Sequence, residues 1–451
     1  MKKSTKLIIG TLATLVVFFN LLITWVDRTP YKEEGFYKKT IARIDSLYQS
    51  LPPLSAGDSL LIGWAVVNIT PSSTYPMAGY GARDPKFSEG IHDSLYVRSL
   101  LLDNGHTSVI LLSADLLIIH PEVTAALIEK LAVSPWQLGQ VYLTASHSHS
   151  SLGAWAPGIV GKSFSGEFDP QIINTLADHI MEAIRIADRA KLPGSFRYGE
   201  LSVPDLVKNR IVGEKGEIDP WLKTFWVQNE KGIGVHGIYS AHATCLTHRF
   251  RKFSGDYPAA FVHALLQDSS IAYGGFSAGP VASMGPADLN GREWEKAMLL
   301  GNELAEQVSI LKLLGMPSYH KATLRAYRIP IDLRSPQLKI SQNLRVRPWL
   351  FHAILGNYPA EMSVMQVNDV LFVGTPCDFS GELALPLYTR AREKGLNLVP
   401  TSFNGGYIGY VPKDSWYDLN KYETRTMSWY GHDNGAFFSE IIEKIIDNST
   451  L

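Results

Sequence analysis

Apolar positions along this chain recur with two different periods, and the changes of period mark out the elements. Alternation with period two marks half-buried strands, because successive side chains on an extended chain face opposite ways. It predicts a strand at "LIGWAVVNI" and another at "VYLTAS". It also predicts two strands joined by a turn at Asp103-Asn104-Gly105 within "SLYVRSLLLDNGHTSVILLSADLL". Further strands are predicted near 195–203, 222–229, 233–241, 270–276, 320–332, 362–374 and 397–403. Helical patterns fall between them near 170–190, 257–268, 291–312 and 380–394, and Pro121 opens a helix through about Leu131. In "AFFSEIIEKIID", Phe438, Ile441, Ile442 and Ile445 share one helical face. No repeat, low-complexity tract or linker interrupts residues 61–451. The order of elements predicts one mixed α/β domain over 61–451, a mixed-sheet core flanked by helices.

The N-terminus breaks both periods. Lys2, Lys3 and Lys6 precede "LIIGTLATLVVFFNLLITWV", residues 7–26, a run without a charge. About twenty such residues span a bilayer as a helix. With no small-x-small cleavage site following, residues 1–30 are expected to form an uncleaved signal anchor, a transmembrane helix. That expectation holds the lysines in the cytoplasm and the body membrane-anchored, in the periplasm or outside the cell. Residues 31–60 are then expected to be a stalk, with a short amphipathic helix over "YKKTIARIDSLYQS" ended by Pro52 and Pro53.

Composition adds mainly exclusions. The chain is 45% hydrophobic and 19% charged, with net charge -1. No basic run or aromatic-basic stripe points to a nucleic-acid partner. The two cysteines, Cys245 and Cys377, form neither a CxxC pair nor a disulfide framework.

The chemistry sits where strands end. "VYLTASHSHSSLGAW" runs from an alternating strand into His147 and His149, followed by small residues and Gly153. Two residues apart on an extended chain, the imidazoles are expected to share one space, and neutral imidazole is the commonest metal-ligand side chain. A pair of hydrogen-bonded structural histidines fits the same spacing. "GIYSAHATCLTHRF" ends a strand at His242, and "VLFVGTPCDF" carries Asp378 just past a buried strand. "NGGYIGYVP" holds Tyr407 and Tyr410 in a glycine-rich loop. Two histidines, a carboxylate and a tyrosine at strand ends can converge on one edge of a sheet, as open α/β folds build their sites. Two His plus a carboxylate make a plausible catalytic Zn2+ set with an open position. "GGFSAGPVASMGPADLNG" lacks the spacing of a nucleotide-binding loop.

Taken in order, several stretches resemble the catalytic domain of the neutral/alkaline non-lysosomal ceramidase family. They are "VVNITPSSTYPMAGYGAR", "EGIHDSLYVRSLLLDNG", "LTASHSHSSLGAW", "SAHATCL…FSGDYPAAF", "GTPCDFSGEL" and "NGGYIGYVP…YETRTMSWYG". The resemblance implies a zinc amidase that cuts the N-acyl bond of ceramide. It places zinc ligands at His147, His242, Asp378 (a glutamate in the family) and Tyr410. It places His149 near the reacting carbonyl and Arg210 at the substrate pocket, with Tyr407 a candidate substrate contact. The family's serine nucleophile lies in a Gly-Asp-x-Ser-Pro motif. Aligned on Phe276 and Pro286, that position reads Gly285 here, and the acidic position reads Ser283.

The expected function is cleavage of a lipid amide by zinc-activated water, with His149 as catalytic residue and Ser283 orienting water or substrate. The alternatives are a zinc hydrolase of another amide or ester, and a ceramidase-like binding protein without activity.

Overall fold

The computed structural model describes residues 10–12, 14, 17, 19–84 and 86–449. Two sheets carry the core. The larger has eight strands, in spatial order Ile271–Ala278, Gly232–Tyr239, Trp221–Asn229, Leu192–Ser202, Leu61–Asn68, Tyr96–Asp103, Ser108–Ala114 and Val141–Ala145. The smaller has four: Leu324–Ile331, Ala360–Val367, Val370–Gly374 and Asn397–Thr401. The inner faces meet in one apolar cluster. Leu100, Leu111, Phe196 and Phe225 of the first sheet pack with Met365, Phe372 and Val399 of the second.

Helices cover both outer faces. Pro121–Leu131 and Pro170–Arg189 bury Leu127, Leu176 and Ile180 against the eight-stranded sheet. Asp256–Leu265 and Trp294–Leu314 cover its other half. Gly381–Glu393 and Asn434–Asp447 cover the four-stranded sheet, with Ile441, Ile442 and Ile445 fully buried. The result is four layers, helix–sheet–sheet–helix, and the mixed α/β expectation holds.

The parallel pairs matter for function. Val141–Ala145 pairs parallel with Ser108–Ala114, Ile271–Ala278 with Gly232–Tyr239, and Val370–Gly374 with Asn397–Thr401. Each needs a crossover helix, so the loops leaving these strands gather at their carboxyl ends. The eight-stranded sheet also curls until its two edge strands touch. Thr144 Oγ1 and Ser277 Oγ lie 2.6 Å apart across that junction.

Three expectations are corrected. Residues 7–26 are not one helix: the described residues from 10 to 22 are helical, but Ile23–Trp25 is a strand paired antiparallel with Leu344–Val346. β-branched and aromatic side chains favour that extended edge. Among the described residues no helix is long and apolar enough to cross a membrane. The rest of the expected anchor, residues 1–9, 13, 15, 16 and 18, lies outside the described residues.

The expected stalk is part of the body. Helix Gly35–Ser50 buries Ile44 completely, and Tyr31 and Tyr37 each donate a 2.7 Å hydrogen bond to Glu440. The amphipathic pattern was visible; its apolar face had a partner nearly 400 residues later, which local periodicity does not reveal. Finally, the single strand expected at 362–374 is a hairpin. Asn368 takes a positive φ of 51°, and the chain reverses between Val367 and Val370.

Candidate metal centre

His147 follows the edge strand Val141–Ala145, but not in extended conformation. Its φ is +61°, a left-handed backbone rare for a non-glycine residue and most often kept at functional sites. The two histidines therefore converge through a turn rather than through strand alternation, which corrects the expected geometry. The His147 ring stacks on Phe403 with centroids 3.9 Å apart, and its Nδ1 donates to the Leu117 carbonyl at 2.7 Å. Only Nε2 is left to face the site.

His149 brings its Nε2 to 3.3 Å from that of His147. Its backbone is clamped from below. Arg83 Nη2 donates to the His149 carbonyl at 2.7 Å, and Gly79, at φ +125°, passes so close that a Cβ there would sit 2.4 Å from the same oxygen.

His242 arrives from the strand Gly232–Tyr239. Its Nδ1 points at the Val281 carbonyl, 3.4 Å away, and its Nε2 lies 2.9 Å from His147 Nε2 and 3.1 Å from His149 Nε2. Asp378 and Tyr410 come in as partners in a short parallel bridge, Asp378–Phe379 against Tyr410–Val411. Asp378 Oδ1 is 3.6 Å from His147 Nε2, and Tyr410 Oη is 3.5 Å from His242 Nε2. Tyr407 donates to Asp378 Oδ2 at 2.8 Å.

Burial sets the charges. It pushes the His147 pKa down to about 3, and holds His149 and His242 well below the usual imidazole value, helped by the nearby Arg210 charge. Burial raises Asp378 to about 7, against the Tyr407 hydrogen bond and Arg210, both of which lower it. Burial also raises Tyr407 and Tyr410, with the Asp378 carboxylate adding to both.

These donors fit a cation. A backbone carbonyl accepts from the Nδ1 of His147 and another faces the Nδ1 of His242, so each neutral ring carries its proton there and presents a bare lone pair at Nε2. Two lone pairs 2.9 Å apart repel unless a positive charge lies between them. Asp378 Oδ1 is fully buried and accepts no hydrogen bond. Imidazole nitrogens with a carboxylate oxygen and a phenol oxygen form a donor set suited to zinc. His147, His149 and His242 satisfy the distance requirement for one ion together.

The remaining expected residues divide. Tyr407 lines the cavity beside the histidines. Arg210 lies nearby and half-buried, with Nη2 2.8 Å from Glu423 Oε1 and Nη1 without a partner, and it does not line the cavity. Ser283 is not brought to the cavity: its Oγ is buried 2.6 Å from Ser380 Oγ. Gly285 lies against the Arg210 side chain, 3.6 Å from where its Cβ would be, and is likewise absent from the cavity wall.

The cavity itself measures about 470 Å3. His147 and His149 form its polar wall, and Tyr80, Leu117, Phe164, Tyr422 and Trp429 make it chiefly apolar. Sequence reading missed these wall residues. Phe164 lies on helix Gly158–Ser165, whose glycines at 158 and 161 hide the helical signal. Tyr422 opens a π-helical turn, Tyr422–Thr426, a form that no simple periodicity flags.

Comparison with known proteins finds similarity to the same family. Residues 60–214 match the family model described as neutral/alkaline non-lysosomal ceramidase, N-terminal. The chain is 24% identical over 218 residues to the neutral ceramidase of Mycobacterium tuberculosis (strain ATCC 25618 / H37Rv), covering 44% of this chain and 34% of that protein. The match thus spans about a third of the curated relative's length. The crystal structure of neutral ceramidase from Pseudomonas aeruginosa shares the fold with a TM-score of 0.73 at 16% identity, over 89% of this chain and 75% of that one. A second structure, described as ceramidase complexed with C2, gives 0.73 over 86% and 75%. Over residues 60–214 the chain is thus similar to the neutral/alkaline non-lysosomal ceramidase family, and its fold is that of the solved neutral ceramidase.

Proposed function

We propose that this protein is a zinc-dependent amidohydrolase that cleaves the N-acyl amide bond of a ceramide-like lipid. The observation that carries the reading is the cluster of three neutral imidazoles, Nε2 to Nε2 within 3.3 Å, at the wall of a mainly apolar cavity. His147, His242, Asp378 and Tyr410 are the residues that would hold the metal. Zinc on such a set supplies a Lewis acid for the amide carbonyl and acidifies a water to a pKa of about 7.

The rest falls to this chain's own groups. The apolar walls receive hydrocarbon and exclude bulk water, which strengthens every polar interaction inside. His149, kept neutral by burial, lies beside His147 and His242, so it is free to take the proton released by the attacking water and hand it to the leaving amine. The Arg210 guanidinium favours negative charge at Asp378 and Tyr410. Water, rather than a side chain, is the nucleophile. Gly285 has no hydroxyl, and Ser283 is engaged with Ser380. The overall change is amide plus water to carboxylic acid plus amine.

The basic residues ahead of an apolar N-terminal run support export, with the catalytic body in the periplasm or outside the cell.

The test is metal content of the purified protein, followed by release of amine from a labelled short-chain ceramide. Activity lost on chelation and restored by zinc supports the reading. Zinc-loaded protein that releases no amine from any amide lipid overturns it.

A further inference from the structure

The main cavity has a side branch of about 40 Å3. The two share Ile118, Phe164, Tyr407 and Trp429, so the branch lies directly against the cavity beside the histidines. That volume holds roughly two or three waters, or a short substituted piece of a chain.

One polar group in the branch is uncommitted. His120 lines it and caps the helix Pro121–Leu131, its Nδ1 accepting from the Glu122 backbone N–H at 3.3 Å. A ring nitrogen that accepts carries no proton, so in neutral imidazole the proton sits on Nε2. Burial keeps this ring neutral at pH 7, its pKa pushed down to about 3. His120 is only 8% exposed, and its Nε2 has no hydrogen-bond partner among the described residues. Trp155 and Tyr358 hold the ring, each at a centroid distance of 5.3 Å. The Tyr358 hydroxyl is already used, donating to Glu122 Oε1 at 3.2 Å. The ring is held rigidly and its Nε2 is not sealed off from the cavity space, so an acceptor can reach it.

We propose that His120 is a specificity-determining residue whose Nε2–H binds a neutral oxygen, a hydroxyl or carbonyl, carried on the part of the substrate that enters the side branch. The proposal rests on the lipid-amide reading and narrows it to oxygen-substituted amide lipids. A neutral donor suits an uncharged oxygen and disfavours a phosphate or a carboxylate, which would be buried unpaired.

The test uses the full chain with pairs of short-chain ceramides identical except for one hydroxyl, placed at successive chain positions. Two measurements are made: kcat/KM for each member, and equilibrium binding of matched non-cleavable pairs read by the fluorescence of Trp155. The wild-type protein is expected to favour one hydroxylated member by roughly 3- to 10-fold, the range of one neutral hydrogen bond. In His120→Phe, which keeps the ring volume, and His120→Ser, which keeps the helix cap, the ratio is expected to collapse toward one. A wild-type protein without preference at any position, or a preference surviving in both variants, overturns the proposal. If no amide is cleaved at all, the hydrolase reading fails, and the binding ratios still decide the role of His120.

Discussion

His147 and His242 face each other Nε2 to Nε2 across 2.9 Å, and neither nitrogen has a proton to offer. The cause lies on the far side of each ring, where the Leu117 and Val281 carbonyls fix the protons on Nδ1. The backbone carbonyls thus leave Nε2 of both rings as the atoms that would meet a metal, in the way outer contacts tune a metal site. His147→Ala and His242→Ala are each expected to weaken zinc binding by at least about 100-fold and to abolish turnover. Metal content after dialysis against a weak chelator reads this directly. Stoichiometric zinc retained in either variant would remove that residue from the ligand set.

Asp378 gives the site a pH dependence. Burial raises its pKa to about 7 in the metal-free protein, far above a free carboxylic acid. The folded state thus holds a proton that the unfolded chain releases near pH 4. The resulting stabilisation is complete below about pH 4 and is lost as pH rises through about 7. Zinc must displace the same proton, so affinity should fall about ten-fold per unit as pH drops below 7. Thermal melts of the metal-free protein and zinc titrations between pH 5 and 8 check both signs. Asp378→Asn should flatten both curves; an unchanged melting profile in that variant would show that another group titrates.

Much of this was legible in the sequence because buried strands announce themselves. Val141–Ala145 and Val370–Gly374 are apolar runs, and the residues just beyond them, His147 and Asp378, stand out by contrast. The structure brings both together with His242 and Tyr410. What could not be read is what depends on distant partners or special backbone. The left-handed turn at His147 has no sequence signature, because no glycine marks it and non-glycine residues adopt it only uncommonly. Helix Gly35–Ser50 reads as an independent amphipathic segment until Glu440 and the C-terminal helix supply its other half. His120 reads as the residue before a helix-opening proline, and only the cavity wall gives it a role.

That same helix yields a prediction about stability. Ile44 is fully buried, Phe36 packs edge-on against Phe437 with centroids 5.1 Å apart, and the Tyr48 and Tyr327 hydroxyls lie 2.6 Å from each other. Removing residues 1–60 strips this layer from the C-terminal helix and should leave a chain that aggregates or melts far lower. Ile44→Ala alone should cost about 2–5 kcal/mol, the range for truncating a buried aliphatic side chain. Denaturant unfolding of the full-length pair measures the second, and expression of the truncated chain measures the first. Equal melting temperatures with and without residues 31–51 would return that segment to the status of a stalk.

The serine question can be settled at two neighbouring positions. Ser283 Oγ and Ser380 Oγ share a fully buried hydrogen bond of 2.6 Å, away from the cavity wall. Ser283→Ala leaves Ser380 without its partner, which should cost about 1–3 kcal/mol of stability. Because no substrate atom reaches that bond, kcat/KM should change by less than about 10-fold. A serine nucleophile at 283 demands the reverse: near-normal stability and activity lost by several orders of magnitude, with an acyl group trapped on Ser283 by mass spectrometry. Gly285→Ser supplies the complementary arm. Its new Cβ would meet the Arg210 side chain at 3.6 and 3.7 Å, ordinary contact distances, so the variant should fold. If water is the nucleophile in the native protein, the added hydroxyl is dispensable, and Gly285→Ser should produce no gain larger than a few-fold. A large gain, accompanied by an acyl-enzyme on residue 285, would mean that the fold still carries the geometry for serine attack and that the native chain works without it.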